Sequence, residues 1–237
     1  MRALAGALGF FSTLPVGRDE RSFEALRRNL WILPVVGLIL GSLISVSIVL
    51  LGRLAFLGIL FYLAIEGINH VDALADFGDA LFAPKDRKLK ALKDLNTGVG
   101  GTVAVSVYVF TLMWSFRTVV PLAVVDAQMM AKFGMLLLLT TTSPIWEGMG
   151  AYMMEFAGFR DLCVGGTIVA VTTALLSKFD PSVVLSNVMA VVVCVLYRFY
   201  VVRTFGGVNG DLIGALNCIA FATTLLSFSA FRRPISI

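Results

Sequence analysis

The sequence predicts an all-α membrane protein: a helical bundle of about seven transmembrane helices forming one domain over residues 1–237. Three observations predict it. Of 237 residues, 58% are hydrophobic and only 14% charged, and the mean hydropathy is +0.91. The apolar residues come in runs near the roughly 20 needed to cross a bilayer, instead of alternating with polar ones. Polar residues gather in a few connections. Cys163, Cys194 and Cys218 lie within apolar runs without a CxxC pair, so they read as small core residues and not as zinc or disulfide chemistry. A net charge of +4 is spread over several loops. It points to membrane topology, and no nucleic-acid-binding pattern accompanies it.

Residues 1–16 are apolar and short, lack a convincing cleavage site, and read as an interfacial helix ending at Pro15. Residues 18–28 mix Arg18, Arg21, Arg27 and Arg28 with Asp19, Glu20 and Glu24, a polar lead-in. Leu30–Leu51 is the first expected span, and its Gly37-x-x-x-Gly41 permits close helix approach. Residues 54–68 form a second apolar run, with Glu66 near its end. Further spans are expected at 101–124, 133–150, 162–177, 183–202 and 211–231.

The second run delivers the chain into Asn69-His70-Val71-Asp72-Ala73-Leu74-Ala75-Asp76-Phe77-Gly78-Asp79. On a helix, Asp72, Asp76 and Asp79 (i, i+4, i+7) fall within roughly 60° of one another, with Asn69 on the same face. Crowded carboxylates beside a bilayer call for a positive partner. Oxygen donors without cysteine favour Mg²⁺ or Mn²⁺ over zinc. The competing reading is a solvated helix face opposite Lys85, Arg87 and Lys88. The loop from Pro84 to Asn96 carries these three with Lys90 and Lys93, either as ordinary basic bias or to hold phosphate oxygens. Asn96–Gly101 closes it with glycines whose backbone amides can approach an anion.

With the N-terminus inside, seven spans place thirteen of the nineteen Lys and Arg residues on the inner side: Arg2, those of 18–28 and 84–96, Arg160, Arg198 and Arg203. Arg232 and Arg233, at the expected outer C-terminus, run against that bias. On this topology the acidic stretch and the turn-rich segment Arg203-Thr204-Phe205-Gly206-Gly207-Val208-Asn209-Gly210-Asp211 emerge on one side. Asp211 reads as an N-cap or, with Asn209, as an oxygen donor to a shared site, while Arg203 faces an anionic substrate.

Here the chain resembles the cobalamin synthase family, the adenosylcobinamide-GDP ribazoletransferases of late corrinoid synthesis. Phe11-Ser12-Thr13-Leu14-Pro15-Val16, His70–Asp79 and Arg203–Ala215 carry the resemblance. The second stretch is close to the family's H-x-D-G-x-A-D-x-x-D and the third to G-G-x-T-G-D-x-x-G-A. Lys93–Gly98 looks like its D-S-x-x-G segment. Departures are Ala73 for Gly, Asn209 for Thr, Thr13 where Arg is common, and Ser143-Pro144-Ile145 where many members have Ser-Arg.

The resemblance implies transfer of an activated corrinoid from adenosylcobinamide-GDP to α-ribazole or its 5′-phosphate, releasing GMP. Asp72, Asp76, Asp79 and Asp211 are then expected to hold one or two Mg²⁺ ions, with Asp76 or Asp79 as the base. His70 either orients a carboxylate or accepts a proton. Arg203, Lys85 and Arg87 are candidate phosphate contacts, and Asn209 a further substrate contact. The implied setting is a multi-pass cell-membrane enzyme with a cytoplasmic site; a homo-oligomer is left open. Two alternatives compete. A CDP-alcohol phosphotransferase would need D-x-x-D-G-x-x-A-R, which is lacking, and a cation transporter would need mid-span carboxylates and an inverted repeat.

Overall fold

In a bilayer each backbone group must find its partner within the protein, so apolar runs become helices. The computed structural model describes residues 1–232; Arg233, weighed above for topology, lies outside them. In chain order the helices are α1 (Arg2–Phe11), α2 (Glu20–Arg27), α3 (Leu33–Leu51), α4 (Gly58–Glu66), α5 (Asn69–Phe82) and α6 (Lys88–Ala91). Then come α7 (Val99–Thr118), α8 (Pro121–Thr141), α9 (Met149–Met154), α10 (Phe159–Leu176), α11 (Ser182–Phe205) and α12 (Gly210–Phe231).

Among the described residues six segments are long and apolar enough to cross a membrane: Leu30–Glu66, Val99–Thr118, Pro121–Thr141, Phe159–Leu176, Ser182–Phe205 and Gly210–Phe231. The chain is a multi-pass helical membrane bundle. Its first apolar segment doubles back. A 3₁₀ turn over Gly52–Leu57 ends α3, Gly58 of α4 abuts Ile48, and Glu66 reaches Lys132 on α8. The second expected span is therefore a nine-residue returning arm. Gly67 (φ 76°) breaks it from α5, a conformation glycine adopts without strain.

Two expected boundaries are corrected. The gap between the expected spans 101–124 and 133–150 holds Asp126 and Lys132, but both residues are buried inside α8. Asp126 accepts from Asn187 Nδ2 at 2.9 Å, and Lys132 is paired as described below. Their charge is met inside the bundle, so the helix continues through them. Pro121 begins α8 at a position where a missing N–H costs nothing. Pro144, Trp146 and Glu147, inside the expected span 133–150, lie beyond the end of α8 at Thr141.

Helix α8 is the central post. Gly37 and Gly41 of α3 lie against its backbone near Gln128 and Val125, where any Cβ would collide. Helix α12 lies on its other side, and α10 and α11 turn apolar residues such as Val171, Val188 and Leu196 outward. Such an outer face suits lipid. Cys194 and Cys218 are buried and Cys163 is exposed; none forms a disulfide.

One end of the bundle is marked by Ser45 Oγ bonding the Pro121 carbonyl and by Asp180 meeting Arg232 at 3.3 Å. The other end holds the acidic stretch. There Arg198 ties α11 to α8 through Thr141, with Nε–Oγ1 at 2.8 Å and Nη2–O at 2.7 Å. Helices α1 and α2 pack over this end, and Arg27 clasps α2 to the α9 region by bonding Glu24, Glu155 and the Tyr152 carbonyl.

Candidate active site

The site is assembled from three backbone devices. The first is the segment after α1. Thr13 donates its N–H to the Ile65 carbonyl at 2.7 Å and its hydroxyl to the Ala64 carbonyl at 2.6 Å. These are the last-turn carbonyls of α4, left without helical partners by the break at Gly67. The Phe11–Val16 motif thus caps the arm that leads into α5.

The second device is close approach. Helix α5 lies between α7 and α12, and small residues mark both contacts. A Cβ on Gly78 would fall 2.7 Å from Ala104 Cβ, and one on Gly214 would fall 2.8 Å from Ala73 Cβ. Asp79 accepts from Gly98 N at 2.6 Å and Gly101 N at 2.8 Å, fastening the basic loop and α7's N-terminus to α5. The anion met by the glycine-rich turn is the protein's own carboxylate.

The third device holds Asp211. Gly206 ends α11 in the left-handed region at φ 81°. Gly207 sits where a Cβ would strike the Ser143 carbonyl. The two connections are stitched together by Val208 N to Ser143 O at 2.9 Å and Ile145 N to Val208 O at 3.0 Å. Asn209, and not Asp211, caps α12. Its Oδ1 accepts from Leu212 N at 3.0 Å and its Nδ2 donates to Asp211 Oδ2 at 2.6 Å. One bond at each end of this buried amide thus ties Asn209 to the α12 cap and orients Asp211.

These devices bring the two distant acidic motifs together. The Asp76 carboxyl is pushed up to about 6, first by burial and then by the charges of Asp211, Asp72 and Asp79. None of the four forms an ion pair with Lys or Arg among the described residues. Among those residues, too, no three His, Cys, Asp or Glu side chains stand close enough to hold a metal ion. Asp72 is exposed, while Asp76, Asp79 and Asp211 are half-buried. Lys85, Arg87 and Arg203 are all exposed and make no side-chain bond in the described chain. Lys88 turns inward to the Ala80 and Leu81 carbonyls at the end of α5, and Lys93 covers Trp146 at 4.2 Å.

Beside Asp211 opens a cavity of about 370 Å³, walled by Phe11, Met135, Leu139, Met153 and Ile213 and reaching His70 and Glu66. Under it lies a network that sequence reasoning missed. Lys132 Nζ meets Glu66 Oε1 at 2.7 Å and Asn217 Oδ1 at 2.9 Å, and Asn217 Nδ2 reaches Glu66 Oε2 at 3.2 Å. His70 Nδ1 lies 3.3 Å from the same Glu66 oxygen. The available signal was a lone lysine inside Met129-Met130-Ala131-Lys132-Phe133, since a charge in an apolar run implies an internal partner.

The family model described as cobalamin-5-phosphate synthase matches residues 3–229. A relative from Archaeoglobus fulgidus named adenosylcobinamide-GDP ribazoletransferase is 47% identical, covering 94% of this chain and 95% of the relative. A second protein of that name from the same organism is 41% identical over 95% of this chain and 96% of its own length. One from Pyrococcus abyssi is 38% identical over 94% of this chain and 96% of the relative. No solved structure matches the chain. With the model covering nearly every described residue, the chain belongs to the cobalamin-5-phosphate synthase family.

Proposed function

We propose that this protein joins adenosylcobinamide-GDP to α-ribazole or its 5′-phosphate and releases GMP. A sugar hydroxyl of the acceptor forms a new P–O bond to the corrinoid-bearing phosphorus. The P–O bond to GMP breaks, and the hydroxyl proton leaves to a base. The activity is carried over from the relatives' shared name. The observation that carries the site is that three carboxylates, Asp72, Asp79 and, from a motif about 130 residues away, Asp211, bear on Asp76 without a basic side chain paired to any of the four.

Such a donor set suits a hard divalent cation, Mg²⁺ above all. Mg²⁺ is commonly held by one or two carboxylates, with water and substrate phosphate filling its shell. Asp72, Asp76 and Asp211 are the residues to hold it, with Asp79 as a further ligand that also anchors α7. When bound, the ion neutralises charge on the pyrophosphate and on departing GMP. The exposed Arg203, Lys85 and Arg87 supply the remaining positive charge for the nucleotide phosphates. His70 lines the cavity beside Asp211, with its Nδ1 3.3 Å from Glu66 Oε2. The Lys and Arg residues are concentrated at this end of the bundle, which supports a cytoplasmic site in the cell membrane.

The test is turnover by purified protein in lipid nanodiscs. With Mg²⁺, adenosylcobinamide-GDP and α-ribazole 5′-phosphate should yield the joined corrinoid and GMP. Excess chelator should abolish it. Full activity in chelator would overturn the metal assignment, and absence of product under all conditions would overturn the reaction.

A further inference from the structure

We propose that the groove between α10 and α11, floored by α8, binds one anionic membrane lipid, with a hydrocarbon chain in the groove and the headgroup phosphate on Arg160 and Arg198. The groove shares no lining residue with the cavity beside Asp211. The proposal is independent of the reaction above.

Helix α10 is the least buried of the six spans. Between it and α11 a groove of about 520 Å³ opens over Phe133 and Leu137 of α8. Its α10 wall runs from Leu162 to Ala170, about 12 Å on a helix. That is most of one leaflet's share of a roughly 30 Å hydrocarbon core. The hydroxyl in this wall, that of Thr167, already donates to the Cys163 carbonyl at 2.9 Å. The lining therefore suits hydrocarbon.

The headgroup end is set by charge. Toward the end of the bundle that holds the acidic stretch, two guanidiniums continue the groove walls in helical register. Arg160 shares the Cys163 and Thr167 face of α10 (i, i+3, i+7), and Arg198 shares the Val191 and Val195 face of α11 (i, i+4, i+7). Neither forms an ion pair among the described residues. Asp161, beside Arg160 in the chain, is buried and accepts from Trp31 N at 3.2 Å. Arg198 is held to Thr141 through Nε and Nη2, which leaves Nη1 without a bond in the described chain. Two guanidiniums above an apolar groove match a phosphate ester carried on a lipid chain.

The rival occupant of such a groove is a helix from a second copy of this chain. Its spans bring no carboxylate to meet the arginines. Glu66, Asp126 and Asp161 are buried, Asp211 belongs to the acidic site, and α3, α7 and α11 contain no acidic residue. A second copy would leave both charges unpaired, whereas an anionic lipid neutralises them.

The experiment is native mass spectrometry of the full chain in detergent, titrated with dioleoylphosphatidylglycerol or with zwitterionic dioleoylphosphatidylcholine. Wild type should retain one phosphatidylglycerol about 25-fold more tightly than phosphatidylcholine, about fivefold for each of two basic residues. Arg160→Gln should cut that preference about fivefold. Gly166→Leu fills the groove, and the fold has room for it, since a Cβ at 166 meets Phe133 Cε2 only at 3.9 Å. It should abolish the retained lipid while keeping the wild-type melting temperature in detergent. Equal retention of the two lipids by wild type would overturn the proposal. So would a preference that Arg160→Gln leaves unchanged, which would place the lipid on other basic residues, or one that survives Gly166→Leu, which would place no chain in the groove. A wild-type dimer that Gly166→Leu disperses would give the groove to a second copy and overturn the proposal as well.

Discussion

Lys132 and Glu66 meet at 2.7 Å, and neither side chain exposes any surface. An ion pair inside a membrane bundle is costly to assemble and costlier to break, because removing one partner strands the other in low dielectric. Lys132→Met should therefore destabilise the protein by about 3–5 kcal/mol. The companion Lys132→Met/Glu66→Gln, which leaves no net charge, should recover part of that loss. Thermal unfolding in a fixed detergent checks both. Equal stability of Lys132→Met and wild type would mean that the pair is not formed in the folded protein.

The bundle was legible in the sequence because hydropathy and helix length are direct consequences of the bilayer. Boundaries were misread where charges are neutralised by partners far along the chain: nothing near Lys132 announces Glu66 or Asn217. The acidic motif was legible for the opposite reason, since Asp72, Asp76 and Asp79 share a face by local spacing alone. Asn209 falls between these extremes. Oxygen-rich turn residues look alike as ligands and as caps, and only the Leu212 amide at 3.0 Å assigns this one to capping. The cavity left no local signal, because Phe11, Met135 and Ile213 belong to three separate helices.

Asp79 shows how a candidate ligand also bears structure. Its two bonds to Gly98 and Gly101 cap α7 from a neighbouring helix, and losing such a cap costs about 0.5–2 kcal/mol. Asp79→Ala should release the basic loop, so limited proteolysis between residues 85 and 97 should accelerate severalfold in the absence of substrate. Unchanged cleavage would show that the loop is held elsewhere.

Gly207 and Gly206 make separable predictions. A side chain at 207 strikes the Ser143 carbonyl, whereas one at 206 mainly suffers its positive φ of 81°. Gly207→Val should displace the connection that presents Asp211 and reduce turnover at least tenfold. Gly206→Ala should cost about 1 kcal/mol of stability with much smaller kinetic effect. Comparable kcat values for the two variants would contradict this division.

The crowded carboxylates make the metal-free protein respond to pH. Folding raises Asp76 from 3.8 to about 6, chiefly by burial and then by Asp211, Asp72 and Asp79. The folded state thus holds this proton more tightly than the unfolded chain, and stability from this group falls as pH rises from about 4 to 6. At pH 7 the full penalty is present. Asp76→Asn should then raise the Tm of metal-free protein at pH 7 and flatten its pH dependence over that window. A lowered Tm would mean that the carboxylate is stabilised in the fold.

The central claim is that α5 and α12 together hold a divalent cation at the end of the bundle. Mn²⁺, which is paramagnetic and accepts the same oxygen donors, reports it directly. Electron paramagnetic resonance titration of the protein in nanodiscs should show saturable Mn²⁺ binding that Mg²⁺ competes away. Asp76→Asn and Asp211→Asn should each weaken it at least tenfold. Wild-type affinity in Asp211→Asn, with loss only in Asp76→Asn, would contradict a site shared between the two helices.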